Sequence, residues 1–148
     1  MAETLGTLCD KLTIVKLKQF HSGDQERLSS LSDQERQLRD EIDAFIAGAI
    51  AGRIPQERLS FAANKVYKQK GNVVAEVKGI IGEVFARLAE VNCRLWHVQE
   101  LVYEFEKVPA EEKDGVAKQL ALLNLERTEC IDHIDKQFRI IIENKTTG

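Results

Sequence analysis

The sequence predicts an all-α protein, an elongated four-helix bundle with one short connecting helix. Apolar residues recur at spacings of three and four over long stretches, which is the period of a helix buried on one face. No alternating apolar run is bounded by hairpin turn residues, so strand signals are missing. Only 2 Pro and 9 Gly in 148 residues leave little material for turns, so the elements must be few and long. A chain of this length forms a single domain, residues 1–148, and buries enough surface to fold without a disulfide or a metal. More than about 70% helix is expected on this pattern.

The first helix is expected over 3–20, with Leu5, Leu8, Leu12 and Val15 as its seam and Cys9, Ile14, Leu17 and Phe20 broadening it. Ser22-Gly-Asp-Gln25 has the capping-box spacing and restarts the chain. Leu28, Leu31, Leu38, Ile42, Phe45 and Ala49 then define a helix over 24–51, interrupted at the seam position of Glu35. Gly52 and Pro55 end it in the expected order. Residues 53–72 are the least regular, and Ile54, Leu59, Phe61, Val66 and Tyr67 suffice for one short helix laid across the bundle.

The clearest signal lies in the third quarter. Val77, Ile81, Val84, Leu88, Val91, Leu95, Val98, Val102 and Phe105 alternate in steps of four and three, a heptad seam that predicts a helix over 73–107. Glu83 with Arg87, and Glu90 with Arg94, support it as i,i+4 pairs. Pro109, Glu111 and Glu112 suit the first turn of a last helix over 110–143, whose apolar positions are Val116, Leu120, Leu123, Cys130, Ile134, Phe138 and Ile141. So short a connection makes the two long C-terminal helices antiparallel neighbours.

Composition narrows the function classes. The net charge of −3 argues against a general nucleic-acid or membrane-surface binder. The basic cluster Arg53, Arg58, Lys65, Lys68 and Lys70, with Phe61 and Tyr67 between, reads as a solvated connector. No apolar run approaches the ~20 residues of a membrane span, and the first residues lack the basic region of a signal peptide. Cys9, Cys93 and Cys130 form no ligand pair, and each reads as a core thiol, which fits a reducing, cytoplasmic compartment.

Signatures of nucleotide loops, serine hydrolases and zinc proteases are missing, so no catalytic residue is named and no cofactor is implied. A metal-dependent helical hydrolase using Glu100, Glu126, Glu129 and Asp132 is the alternative weighed for this chain. Acidic residues at i,i+3 arise in any charged helix, however, and a solvated face explains them; no metal ligand is assigned.

Polarity in the wrong place is more informative. Arg127 falls on the seam of the last helix, between Leu123 and Cys130/Ile134, where a leucine would continue the pattern. Asn124 lies one turn before it, and on the heptad helix Asn92 flanks the seam one turn before the only tryptophan, Trp96. A buried guanidinium needs a carboxylate, and Asp10, Glu100 and Asp135 are the candidates. Either this is a structural polar layer that fixes helix register, or it is a polar pocket between helices.

These residues also carry a resemblance. Asp10-Lys-Leu-Thr-Ile14 with Lys18, then Asn92-Cys-Arg-Leu-Trp96, then Asn124-Leu-Glu-Arg127 ending in Ile131-x-x-Ile134-Asp135 resemble an uncharacterised family of small helical bacterial proteins. Members often lie near glycosyltransferase and surface-polysaccharide genes. The resemblance touches about half of the chain and none of residues 24–75. It departs at Gln99-Glu100 and Tyr103, where the family pattern has an acidic pair and an arginine. It implies a polar site on three helices and an accessory role in surface-polysaccharide biosynthesis, and it implies no reaction.

The expected site therefore holds Asp10, Lys18, Asn92, Trp96, Glu100, Asn124, Arg127 and Asp135, with Trp96 as a wall. Its ligand is expected to be small and polar or anionic. The function expected is a non-catalytic interaction or small-ligand module; a purely structural homo-oligomer is the third reading. Ile140, Ile141 and Ile142 put isoleucine on more than one face near the tail, so a homo-oligomer is expected in any case.

Overall fold

The computed structural model of the chain describes residues 3–61 and 79–147. Of these residues 86% are helical and none lies in a strand. Four helices make the bundle: α1 Leu5–His21, α2 Gln25–Ile50, α3 Ile81–Tyr103 and α4 Ala110–Thr147. Single 3-10 turns at Gln56–Arg58 and Phe105–Lys107 complete the described elements.

Local chemistry explains the boundaries. Thr4 caps α1 through a reciprocal pair with Thr7. Asp24, not Ser22, caps α2, accepting the Glu26 N–H at 3.1 Å. Ser22 instead closes α1, its N–H reaching the Gln19 carbonyl. Past α2, Gly52 takes φ +77°, a conformation a side chain would oppose.

The heptad helix is shorter than its seam predicts. It begins at Ile81, not at 73, because Gly79 sits at φ +112° and Ile80 is extended; residues 73–78 lie outside the described residues. It ends at Tyr103, not at 107. Val108 must be extended ahead of Pro109, so the chain tightens through one 3-10 turn instead of carrying the helix on. The connecting helix of 53–72 is represented by the single turn Gln56–Arg58, which plants the fully buried Leu59 in the core. Its positions from 62 onward, with Lys65, Lys68 and Lys70, lie outside the described residues.

α4 is the spine, 38 residues or about 57 Å long at ~1.5 Å per residue. α3 runs antiparallel to it: Arg87 meets Glu126 at 2.8 Å, and the Gly79 carbonyl lies 3.0 Å from Nε2 of His133. α1 also runs antiparallel to α4, through Gly6 against Asp135 and Asp10 against Arg127. α2 returns along α1, where the misplaced Glu35 finds its reason. It accepts Lys16 at 2.9 Å and Gln19 at 3.1 Å, and the lysine's hydrogen bond holds its carboxyl below the usual range.

Among the described residues, two apolar clusters form the core. One joins Leu5, Cys9, Ala49, Leu59, Val84, Leu88, Cys130, Ile134, Phe138 and Ile142, and the other joins Val91, Leu95, Val98 and Leu123. The seam from Val84 to Val98 is buried throughout, while Val102 is exposed at its end. Cys9 and Cys130 are core thiols, and burial pushes each up to about 11. Cys93 is not: it is exposed, because it lies two residues on from the seam position Val91, on the far side of the helix. Among the described residues, no helix is long and apolar enough to cross a membrane.

Candidate functional site: a polar cleft between the helices

Between the two apolar clusters lies a polar layer. Asp10 of α1 is only 3% exposed, and a carboxylate so buried must be met by donors. Arg127 of α4 supplies a two-pronged contact, Nε to Oδ1 at 2.9 Å and Nη2 to Oδ2. Asn92 of α3 donates its Nδ2 to the same Oδ1 at 2.9 Å and to Thr13 Oγ1 at 2.7 Å. The Asp10 hydrogen bonds outweigh burial and raise the pKa of Arg127, so the guanidinium stays charged. Three helices are tied together at one carboxylate.

Arg127 is only half used. A guanidinium carries five N–H donors, and Asp10 occupies Nε and Nη2. Nη1 donates to no described residue, and the side chain is 32% exposed. It lines an open cleft of about 650 Å³. Ile14, Leu17 and Lys18 of α1 form one wall and Arg27 enters from α2. Asn92, Leu95, Trp96, Gln99, Glu100 and Tyr103 of α3 form the other.

The geometry of α1 against α4 explains why a cleft opens here. At Gly6 the two helices touch so closely that a Cβ would lie 2.6 Å from the Ile131 carbonyl oxygen. Four residues on, Asp10 and Arg127 still clasp. One to two turns further, the side chains of Ile14, Leu17 and Lys18 border open space.

Charge is uneven in the cleft. Lys18, Arg27 and Arg127 line it from three helices, against the single carboxylate of Glu100. Among the described residues neither Lys18 nor Arg27 has an ion-pair partner. An acidic protein thus turns a cationic face into this cleft.

Trp96 has two distinctive features. Its Nε1–H is buried with no acceptor among the described residues, an arrangement that costs roughly 1–3 kcal/mol. Its ring is covered by the imidazole of His21, stacked with centroids 4.7 Å apart and planes 10° from parallel. His21 itself is exposed, at the last position of α1. A smaller hollow of about 280 Å³ over the α1–α2 turn shares Lys18, Arg27 and Trp96 with this cleft.

Of the residues expected at the site, Lys18, Asn92, Trp96, Glu100 and Arg127 line the cleft and Asp10 stands directly behind Arg127. Two do not join them. Asn124 is exposed and lines no part of the cleft. It shares a helix stripe with Asp135, about three turns away, but its side chain is exposed where that of Asp135 is buried. Asp135 is buried at the other end, where it accepts the Gly6 N–H at 2.7 Å. Burial raises its carboxyl to about 6, against the lowering effect of Thr4 and Gly6. Asp10, not Asp135 or Glu100, is the partner of Arg127.

Sequence reasoning missed Thr13, His21, Arg27, Gln99 and Tyr103. Arg27 was within reach: the turn after α1 is short, so the first turn of α2 must return beside Lys18. The carboxylates of the hydrolase alternative do not converge. Glu126 is paired with Arg87, and among the described residues no three His, Cys, Asp or Glu side chains gather as a metal site.

No family model, curated protein or solved structure matches the chain.

Proposed function

We propose that the cleft binds a small anionic ligand and that the chain is a non-catalytic ligand-binding module. The half-used guanidinium of Arg127 carries this reading. A layer serving register alone would satisfy its donors inside the bundle, whereas Asp10 fixes one edge of Arg127 and leaves Nη1 without a partner among the described residues, on a side chain that lines the cleft. A planar fork held rigidly by a buried carboxylate is prepared for a second anion at little further entropic cost. Lys18 and Arg27, which have no ion-pair partner among the described residues, add positive charge and draw an anion into the opening.

Calorimetry and thermal shift with inorganic phosphate and pyrophosphate test it. Both anions should bind, with affinity falling as salt rises. The double variant Lys18→Ala/Arg27→Ala should lose about tenfold or more in affinity with helix content unchanged, each charge-assisted contact being worth roughly a kcal/mol. Equal binding by the variant and the unaltered protein, or no binding of either anion, would refute the reading.

We also propose that the chain self-associates through the far end of the bundle. Ile140 and Ile141 are about half exposed and Ile80 is 69% exposed, apolar surface of the kind another chain covers. Sedimentation velocity at micromolar concentration should give a dimer or larger species; a monomer would exclude this.

A further inference from the structure

We infer that Trp96 is the ring platform of the cleft, that His21 keeps the place of the ligand's ring, and that the ligand is therefore a phosphate-bearing ring compound, a sugar phosphate or a nucleotide. This rests on the anion reading above and deepens it.

The anionic part follows from the number and kind of cations. A lone carboxylate would be met by the free edge of Arg127. Here two arginines and a lysine converge from α1, α2 and α4, which suits a group with two charges and several acceptor oxygens. Phosphate is that group.

The ring follows from Trp96 and its cover. The imidazole of His21 lies flat on the indole, as a bound ring would. It is an exposed residue at the end of α1, so its departure uncovers the indole and removes nothing from either core cluster. Beneath it the indole N–H is left without an acceptor among the described residues. A larger ring with oxygen atoms at its rim can stack in place of the imidazole and also reach that edge. Glu100 fits the same picture. A carboxylate opposes an anion, but one turn beyond Trp96 on α3 it can accept the hydroxyl or amino donors of a sugar or base, with Gln99 beside it.

Trp96 is the only tryptophan, so its fluorescence reports on the site directly. Inorganic phosphate, ribose 5-phosphate and AMP are titrated against the unaltered chain, His21→Ala and Trp96→Phe. Binding is followed by calorimetry throughout and by emission where the indole is present. Both ring compounds should bind at least about tenfold more tightly than phosphate and shift the emission, while phosphate leaves it unchanged. His21→Ala should tighten the ring compounds by about threefold to tenfold, the worth of one aromatic pair, and leave phosphate alone. Trp96→Phe should weaken them and again spare phosphate. The tighter of ribose 5-phosphate and AMP decides between sugar phosphate and nucleotide. If phosphate binds and the ring compounds bind no better, the ring inference falls and the anion reading stands. If His21→Ala weakens the ring compounds, His21 is part of the site and not a place-holder. If none of the three binds, both readings fall together.

Discussion

Asp10 and Asp135 are both almost wholly buried, and both lie where α1 meets α4, but they are met in different ways. Asp135 accepts a backbone N–H from Gly6, in a contact so close that only glycine fits, and burial raises its carboxyl to about 6. Asp10, about one turn along α1, is met by a full charge from Arg127 and an amide from Asn92, where the helices begin to separate. At the tight end polarity is absorbed by the backbone. At the open end it is compensated by a cation that keeps donors to spare. Burial of a polar group does not mark a site by itself; what its partner still has free does.

The largest effect expected from disturbing this contrast is at Arg127. Arg127→Met leaves Asp10 buried and uncompensated, at a cost of about 3–5 kcal/mol for removing one member of a buried pair. Adding Asp10→Asn should recover most of the loss, since the amide needs no counter-charge. Chemical denaturation of the single and double variants measures both. A single variant as stable as the unaltered chain would show that Asp10 is not held by Arg127.

A smaller effect separates the two carboxylates by pH. The folded Asp135 binds its proton up to about 6, while the unfolded chain releases it near 3.8, so stability is full below that range and is lost as pH rises through it. The loss should be on the order of 3 kcal/mol. Asp135→Asn retains an acceptor for Gly6 and should flatten the stability profile between pH 4 and 6. A profile unchanged by the substitution would mean that another group carries it.

Much of this architecture was legible because it rests on periodicity. The seam from Val84 to Val98 is buried as its spacing predicts. Arg127 stood out because a cation interrupted an apolar row. The failures have one physical source: periodicity fixes the angle of a side chain around its helix but not how far the neighbouring helix reaches. Asn124 and Asp135 share a stripe, yet Asp135 is buried against Gly6 of α1 and Asn124 is exposed. Arg27 and His21 gain their roles from the α1–α2 turn, where no periodicity operates. Gly79 ends a heptad row that the apolar pattern alone carries straight through it.

The two clasps between α1 and α4 close very long loops, 129 residues from Gly6 to Asp135 and 117 from Asp10 to Arg127. Loop-closure entropy rises only with the logarithm of loop length, so the first clasp to form bears almost all of that cost. Once it is made, two rigid helices already hold the second pair in register, and the second clasp closes nearly free of entropy. The carboxylates that differ so much in their partners are thereby joined in assembly, because docking either one delivers the other.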